Sequence, residues 1–179
     1  MSAGDRMSKV ELVDEAGRPT GSSTVDDAHR APGLLHRAFS VLLLDEHGRL
    51  LLQRRSAQKT RFPLRWANTC CGHPAPGEPV VDAAARRLRE ELSIVDVPLS
   101  ALGVYAYRAG DPDTGRVEHE YDHVLLGRIA ADGAIAPDPA EVDELRWVAP
   151  AQLSRELATQ PQRFAPWLAG VLALLPDGR

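Results

Sequence analysis

Short alternating runs of apolar residues recur along this chain, broken by clusters of Gly, Pro and Asp. Val10 to Val13 reads as a strand, closed by the turn Asp14-Glu15-Ala16-Gly17. The polar stretch from Thr20 to Leu35, rich in Gly, Pro and Asp, reads as a loop holding about one helical turn. Arg37 to Leu44 and Arg49 to Arg54 are two β-favouring runs joined by Asp45-Glu46-His47-Gly48, a hairpin pattern. A basic loop follows, through Pro63. The period then changes: Val81, Ala84, Ala85, Leu88 and Leu92 recur at helical spacing, with Pro79 suited to the first helical position. Leu102 to Arg108, Val117 to Ile129 and Glu144 to Val148 return to strand patterning. Pro150 opens a helix, and Phe164 to Leu175 reads as a last helix stopped by Pro176. Mixed strands with one central helix and terminal helices predict an α/β (α+β) layered domain.

Composition narrows the function. A length of 179 residues suits one domain with a real core. The net charge of −4 argues against a nucleic-acid partner, which wants a basic face, but leaves room for a local basic pocket. No apolar run is long enough to span a membrane, so no membrane role is expected. The N-terminus lacks the apolar core of a signal peptide; residues 1–8 read as a disordered leader, with Met7 a second possible start. Cys70 and Cys71 are adjacent and make poor disulfide partners, which suggests reduced thiols and a cytoplasmic protein.

The chemistry concentrates between Trp66 and Leu92, where a thiol, a histidine, a Pro/Gly turn and a charged helix follow one another. Arg87 and Glu91 share one helix face. A surface pair of this kind is worth little, and Arg before Glu is the poorer order for supporting a helix. Beside a glycine turn, the same cation and carboxylate could hold a magnesium diphosphate.

The spacing of Gly72, Glu78, Arg86, Leu88, Glu90, Glu91 and Ile94 resembles the Nudix box, with two departures. Arg87 stands where Nudix hydrolases carry glutamate, and Ser93 where they carry glycine. The run Trp66-Ala67-Asn68-Thr69-Cys70-Cys71-Gly72-His73-Pro74 resembles the signature of type I isopentenyl diphosphate isomerases, which use the Nudix fold without its hydrolase chemistry. The resemblance implies a Nudix-like α/β/α sandwich with mixed β-sheets. It divides the chain into an extension over 9–33 that contributes to the site, a catalytic domain over 34–168, and the helix end and tail over 169–179.

His29 and His36 in a Pro-Gly loop are ordinary surface residues unless further ligands join them. His73 is a third candidate. Glu118 and Glu120, two apart in a strand, face one side, and His119 the other. Three imidazoles and two carboxylates form a five-ligand set that suits Mn²⁺, Zn²⁺ or Mg²⁺, and the sequence does not choose among them. The resemblance assigns this metal site to His29, His36, His73, Glu118 and Glu120. It also implies Mg²⁺ bridging the substrate's diphosphate to Glu91 and Cys71. By the same resemblance Cys71 is the proton-transferring thiol, opposite Glu120 with Tyr107. Trp167 lines the pocket, and Arg55, Lys59 and Arg87 bind the diphosphate of a small isoprenoid substrate. Residues near Cys71 favour its thiolate, whereas Cys70 suits the buried, inert state common for free cysteines. Tyr105 shares a face with Tyr107, so pattern does not separate them. Arg54, Arg61 and Arg65 read as solvated neighbours. Many bacterial members have a lysine at the position of Val25, so either another cation substitutes here or diphosphate binding is weaker. The expected enzyme interconverts isopentenyl and dimethylallyl diphosphate as a monomer or weak homodimer. Its rivals are a Nudix-type diphosphate hydrolase and a non-catalytic diphosphate- or metal-binding domain.

Overall fold

The computed structural model describes residues 8–176. The expected leader, Ser8 apart, and the last three residues of the expected tail lie outside them. The order is β1 (Lys9–Val13), β2 (Pro19–Thr24), α1 (Val25–Ala28), β3 (His36–Leu44), β4 (Leu50–Arg55), β5 (Trp66–Ala67) and β6 (Cys70–Gly72). Helix α2 (Val80–Leu92) follows, then β7 (Ser100–Gly110), β8 (Val117–Arg128), β9 (Val142–Val148), α3 (Pro150–Thr159) and α4 (Leu168–Leu172).

Strand β3 is the hub. One edge pairs in parallel with β8 from His36↔Glu120 to Leu44↔Arg128. The other edge pairs antiparallel with β6 at Phe39↔Gly72, Ser40↔Cys71 and Val41↔Cys70. β7 runs antiparallel along the far side of β8. The expected hairpin forms, but β3 and β4 stay paired only at Leu44↔Leu50. Both edges of β3 are already taken, so β4 diverges to pair with β9 and β5.

Side-chain alternation along β3 sends Phe39, Val41 and Leu43 to one face, where they pack against Ala83, Ala84, Leu88 and Leu92 of α2. Leu42 faces the other way, into a cluster with Trp66, Leu153 of α3, Trp167, and Leu168 and Val171 of α4. The result is the expected α/β/α sandwich. Burial of Leu88 and Leu92 stabilises the α2 layer by about 1.5–3 kcal/mol each.

Three local expectations are corrected. Within Thr20 to Leu35 the chain forms β2, a polar strand held by backbone pairing to β1, with no apolar alternation to reveal it. Helix α2 begins at Val80, Pro79 being its cap, and its buried face is Ala83, Ala84, Leu88, Glu91 and Leu92; Val81 and Ala85 are exposed. The last helix is five residues long, not the whole of Phe164 to Leu175. Pro166 disfavours helical geometry at the residue before it and supplies no N–H.

Candidate active site

Three elements bring three imidazoles together. His29 ends α1, whose start is capped by the Thr24 hydroxyl accepting the Asp27 N–H at 3.1 Å. The His29 carbonyl accepts the Val117 N–H at 2.9 Å, which seats this helix end against β8 beside Glu118. His36 opens β3, in register with Glu120. His73 follows β6. The ring centroids lie 4.6, 5.0 and 4.9 Å apart.

Nδ1 of His29 lies 2.7 Å from the Val25 carbonyl, and Nδ1 of His36 lies 2.7 Å from the Leu34 carbonyl. A carbonyl only accepts, so each Nδ1 carries a proton and each Nε2 is the atom turned inward. Both Nε2 atoms are buried without a hydrogen-bond partner, as is Glu118 Oε2. That oxygen is 2.8 Å from His29 Nε2. A ring nitrogen and a carboxylate oxygen this close need a proton or a cation between them. The ligand atoms of His29, His36, His73 and Glu120 all lie within 4.8 Å of one another. This donor set fits a divalent cation, with second partners fixing the imidazole tautomers. Glu118, the fifth expected ligand, flanks the group: Oε2 faces His29, and Oε1 accepts from Arg61 Nε at 2.7 Å.

Burial holds the His73 imidazole down to about 3, so it is neutral. Burial and the Glu118 charge push the Glu120 carboxyl up, but the imidazoles of His36 and His73 outweigh them and hold it at about 2. Glu120 also accepts a 2.6 Å hydrogen bond on Oε2 from the Tyr107 hydroxyl. Register separates the two tyrosines: Tyr107 pairs with Glu120 and Tyr105 with Asp122.

Alternation along β6 buries Cys70 in the α2-side core and turns Cys71 to the opposite face. The expectation that its surroundings favour thiolate is corrected: burial pushes the Cys71 thiol up to about 12, and Arg55 offsets this only in part. Cys71 rests as a protonated thiol.

A cavity of about 220 Å³ is lined by Cys71, Gly72 and His73 at the end of β6, Glu118 and Glu120 of β8 and Tyr107 of β7, with Trp167 in its wall. Val25 lines it as well. Trp167 is buried, its indole N–H donating to Asn68 Oδ1 at 3.0 Å. Arg55 is buried against the carbonyls of Arg61 and Phe62; its Nη1 lies 3.8 Å from Cys71 Sγ, and its guanidinium is 5.3 Å from the Trp167 ring centre. Lys59 pairs with Glu141 at 2.5 Å. Arg87 pairs with Glu91 at 2.5 Å and with Glu90 at 2.9 Å. Glu91 is only 1% exposed, so this is no solvated surface pair.

Three residues were not picked out by sequence as site residues. Arg61, expected to be solvated, is buried against Glu118 because its loop turns back through positive φ at Phe62 and Leu64. Glu141 joins Lys59 and lies 3.5 Å from Arg87. Neither has a local signal. Asn68 did lie within the quoted motif; its amide donates to the carbonyls of Val41 and Cys70 while accepting from Trp167.

The NUDIX domain family matches residues 34–173. Isopentenyl-diphosphate Delta-isomerase of Nocardia farcinica is 62% identical over 92% of this chain and 93% of its own length. The protein of that name from Halorhodospira halophila is 42% identical over 95% and 96%. Among solved structures, a Deinococcus radiodurans protein superposes with a TM-score of 0.74 at 22% identity, covering 92% of this chain and 97% of its own. The MutT protein of Methanosarcina mazei Go1 gives 0.60 at 21% identity, over 78% and 91%. These two likenesses speak for the fold alone. Among the described residues no helix is long and apolar enough to cross a membrane. With a NUDIX domain over most of its length and this identity to its relatives, the chain belongs to the isopentenyl-diphosphate Delta-isomerase family.

Proposed function

We infer that this enzyme interconverts isopentenyl and dimethylallyl diphosphate, with Cys71 and Glu120 as its two proton-transfer groups. The observation that carries the reading is that a protonated thiol and an ionised carboxylate, on strands flanking β3, line one small cavity. Moving a double bond by one position needs one proton added at one carbon and another removed nearby. An acid and a base on separate walls supply both. Alkene protonation gives a tertiary cation. The Trp167 π face stabilises it, and the substrate filling the cavity keeps water from trapping it. Tyr107 holds Glu120 Oε2 through its hydroxyl and carries protons to and from it. The cations Arg55, Lys59 and Arg87 anchor the diphosphate, which leaves the hydrocarbon end between thiol and carboxylate.

His29, His36, His73 and Glu120, with Glu118 beside them, would hold a divalent ion, Mn²⁺, Zn²⁺ or Mg²⁺, and Glu91 and Cys71 would be the protein groups for Mg²⁺ on the diphosphate, Glu91 once Arg87 gives up its carboxylate. The chemistry supplied there would be fixed positive charge that orients Glu120 and offsets the charge of the phosphate oxygens. The reading needs one chain only, and a reducing cytoplasm keeps Cys71 available.

A nucleotide hydrolase would share the fold. Arg87, however, replaces a carboxylate of the Nudix box with a cation, and a cavity of about 220 Å³ is below the usual size for larger ligands. Incubation with isopentenyl diphosphate in heavy water separates the readings. The isomerase incorporates deuterium into the carbon skeleton and forms dimethylallyl diphosphate. Release of phosphate or pyrophosphate without exchange would favour the hydrolase, and binding without either would favour a non-catalytic domain.

A further inference from the structure

The cavity wall carries six cations: Lys9, Arg55, Lys59, Arg61, Arg86 and Arg87. Four of them face carboxylates. Lys59 has Glu141, Arg61 has Glu118, Arg86 has Glu78 at 3.2 Å, and Arg87 has Glu90 and Glu91. Arg55 has its guanidinium directed at two main-chain carbonyls and the Cys71 sulfur. Lys9 differs from all of these. Among the described residues it forms no ion pair, and its side chain is exposed on the solvent side of the wall. Strand pairing fixes its place: Lys9 is opposite Thr24, and the Val25 N–H donates to the Ser8 carbonyl at 2.9 Å. It therefore stands beside Val25, whose own side chain gives the wall an apolar surface there.

We propose that Lys9 is a diphosphate-binding residue of this enzyme, acting with Lys59 and Arg87 on the charged end of the substrate. The proposal rests on the isomerase reading above, and it supplies the cation that Val25 does not. An ammonium on a flexible stem suits this task. It meets phosphate oxygens as a point charge, without the fixed fork of a guanidinium. Because it has no carboxylate to leave, its full attraction is available to the incoming anion. The neighbouring cations must instead share theirs with the carboxylates they already hold. The interaction acts on the non-reacting end of the substrate, so it is the same in the ground state and the transition state. Its loss then appears in KM rather than kcat.

The test compares wild-type enzyme with Lys9→Ala and Lys9→Arg. Two readouts are used: steady-state kinetics with isopentenyl diphosphate, and calorimetric binding of inorganic pyrophosphate with Mg²⁺. Lys9 is exposed at the first position of β1, so both variants fold. Lys9→Ala should raise KM and weaken pyrophosphate about tenfold, the low end for a charge-assisted hydrogen bond, with kcat within twofold. Lys9→Arg should recover most of the affinity. The KM of the wild type should also rise with salt more steeply than that of Lys9→Ala. KM and pyrophosphate affinity unchanged in Lys9→Ala would overturn the proposal, and so would a fall in kcat at constant KM. Failure of the functional reading looks different. A wild type that binds pyrophosphate tenfold better than Lys9→Ala, yet exchanges no deuterium into isopentenyl diphosphate, keeps Lys9 as an anion contact and removes the isomerase.

Discussion

The two charged ends of the cavity are built on opposite plans. At the imidazole end the donors are fixed by strand register and main-chain carbonyls, and their inward atoms share unsatisfied negative character. At the guanidinium end most cations already hold carboxylates: Lys59 on Glu141, Arg87 on Glu91, Arg86 on Glu78. The first end is a preformed receptor for a positive ion. The second is a set of ion pairs, which on the proposed reading an arriving diphosphate would exchange for its own contacts. On that reading, rigid placement would serve the groups that must stand at fixed points around a reacting carbon, and exchange the groups that only grip.

The contrast breaks most severely at the reacting groups. Cys71→Ala and Glu120→Gln should each lower kcat by about 10³-fold or more while the fold survives, as circular dichroism and steady-state turnover would reveal. Cys70→Ala, on the other face, should stay active, and a severe loss there would move the proton transfer to that thiol. Next in size, Arg61→Ala should weaken metal retention about 10–100-fold, because an outer partner of a ligating carboxylate is removed. Metal analysis after dialysis against a weak chelator measures this. Arg87→Ala should instead raise KM and leave that metal in place. If both variants lost metal equally, the two ends would not be separate.

Acid sharpens the comparison. His73 is held well below its unfolded value of 6.5, so the unfolded chain binds more protons as pH falls from there toward about 3. Stability from this group is therefore present above pH 6.5 and declines below it. Glu120, held at about 2, adds stability above pH 4.5 that is lost on further acidification. Metal-free protein should melt at steadily lower temperature from pH 6.5 downward in thermal scans; a flat profile would contradict the buried neutral imidazole. The smallest effect is expected at Ser93, which ends α2 in left-handed geometry at φ 58°. Ser93→Gly should stabilise by about 0.5–1 kcal/mol in urea unfolding, since glycine adopts that geometry without strain.

Much of this architecture could be read directly from residue order. Period-two alternation places Glu118 and Glu120 together and turns Cys71 away from Cys70, because a strand leaves no other choice. The helical spacing of Leu88 and Leu92 marked the α2 layer. Other features depend on contacts that sequence does not display. Strand β2 is polar and held by main-chain pairing alone. Arg61 looks like any arginine of a basic loop until that loop folds back over the cavity. Glu141, far along the chain, meets Lys59 only through tertiary packing. The apolar run from Phe164 to Leu175 suggests a longer helix than forms, because Pro166 blocks helical geometry ahead of Leu168.

The pairing of β3 on both edges has a consequence for substrate choice. Cys71 and Glu120 sit on its two neighbours, so the separation of their main-chain positions is set by hydrogen bonds across three strands. The enzyme in effect carries a ruler made of peptide backbone. Trimming residues at the wall would roughen its edges, but admitting a longer prenyl chain between the same two groups would require a different ladder.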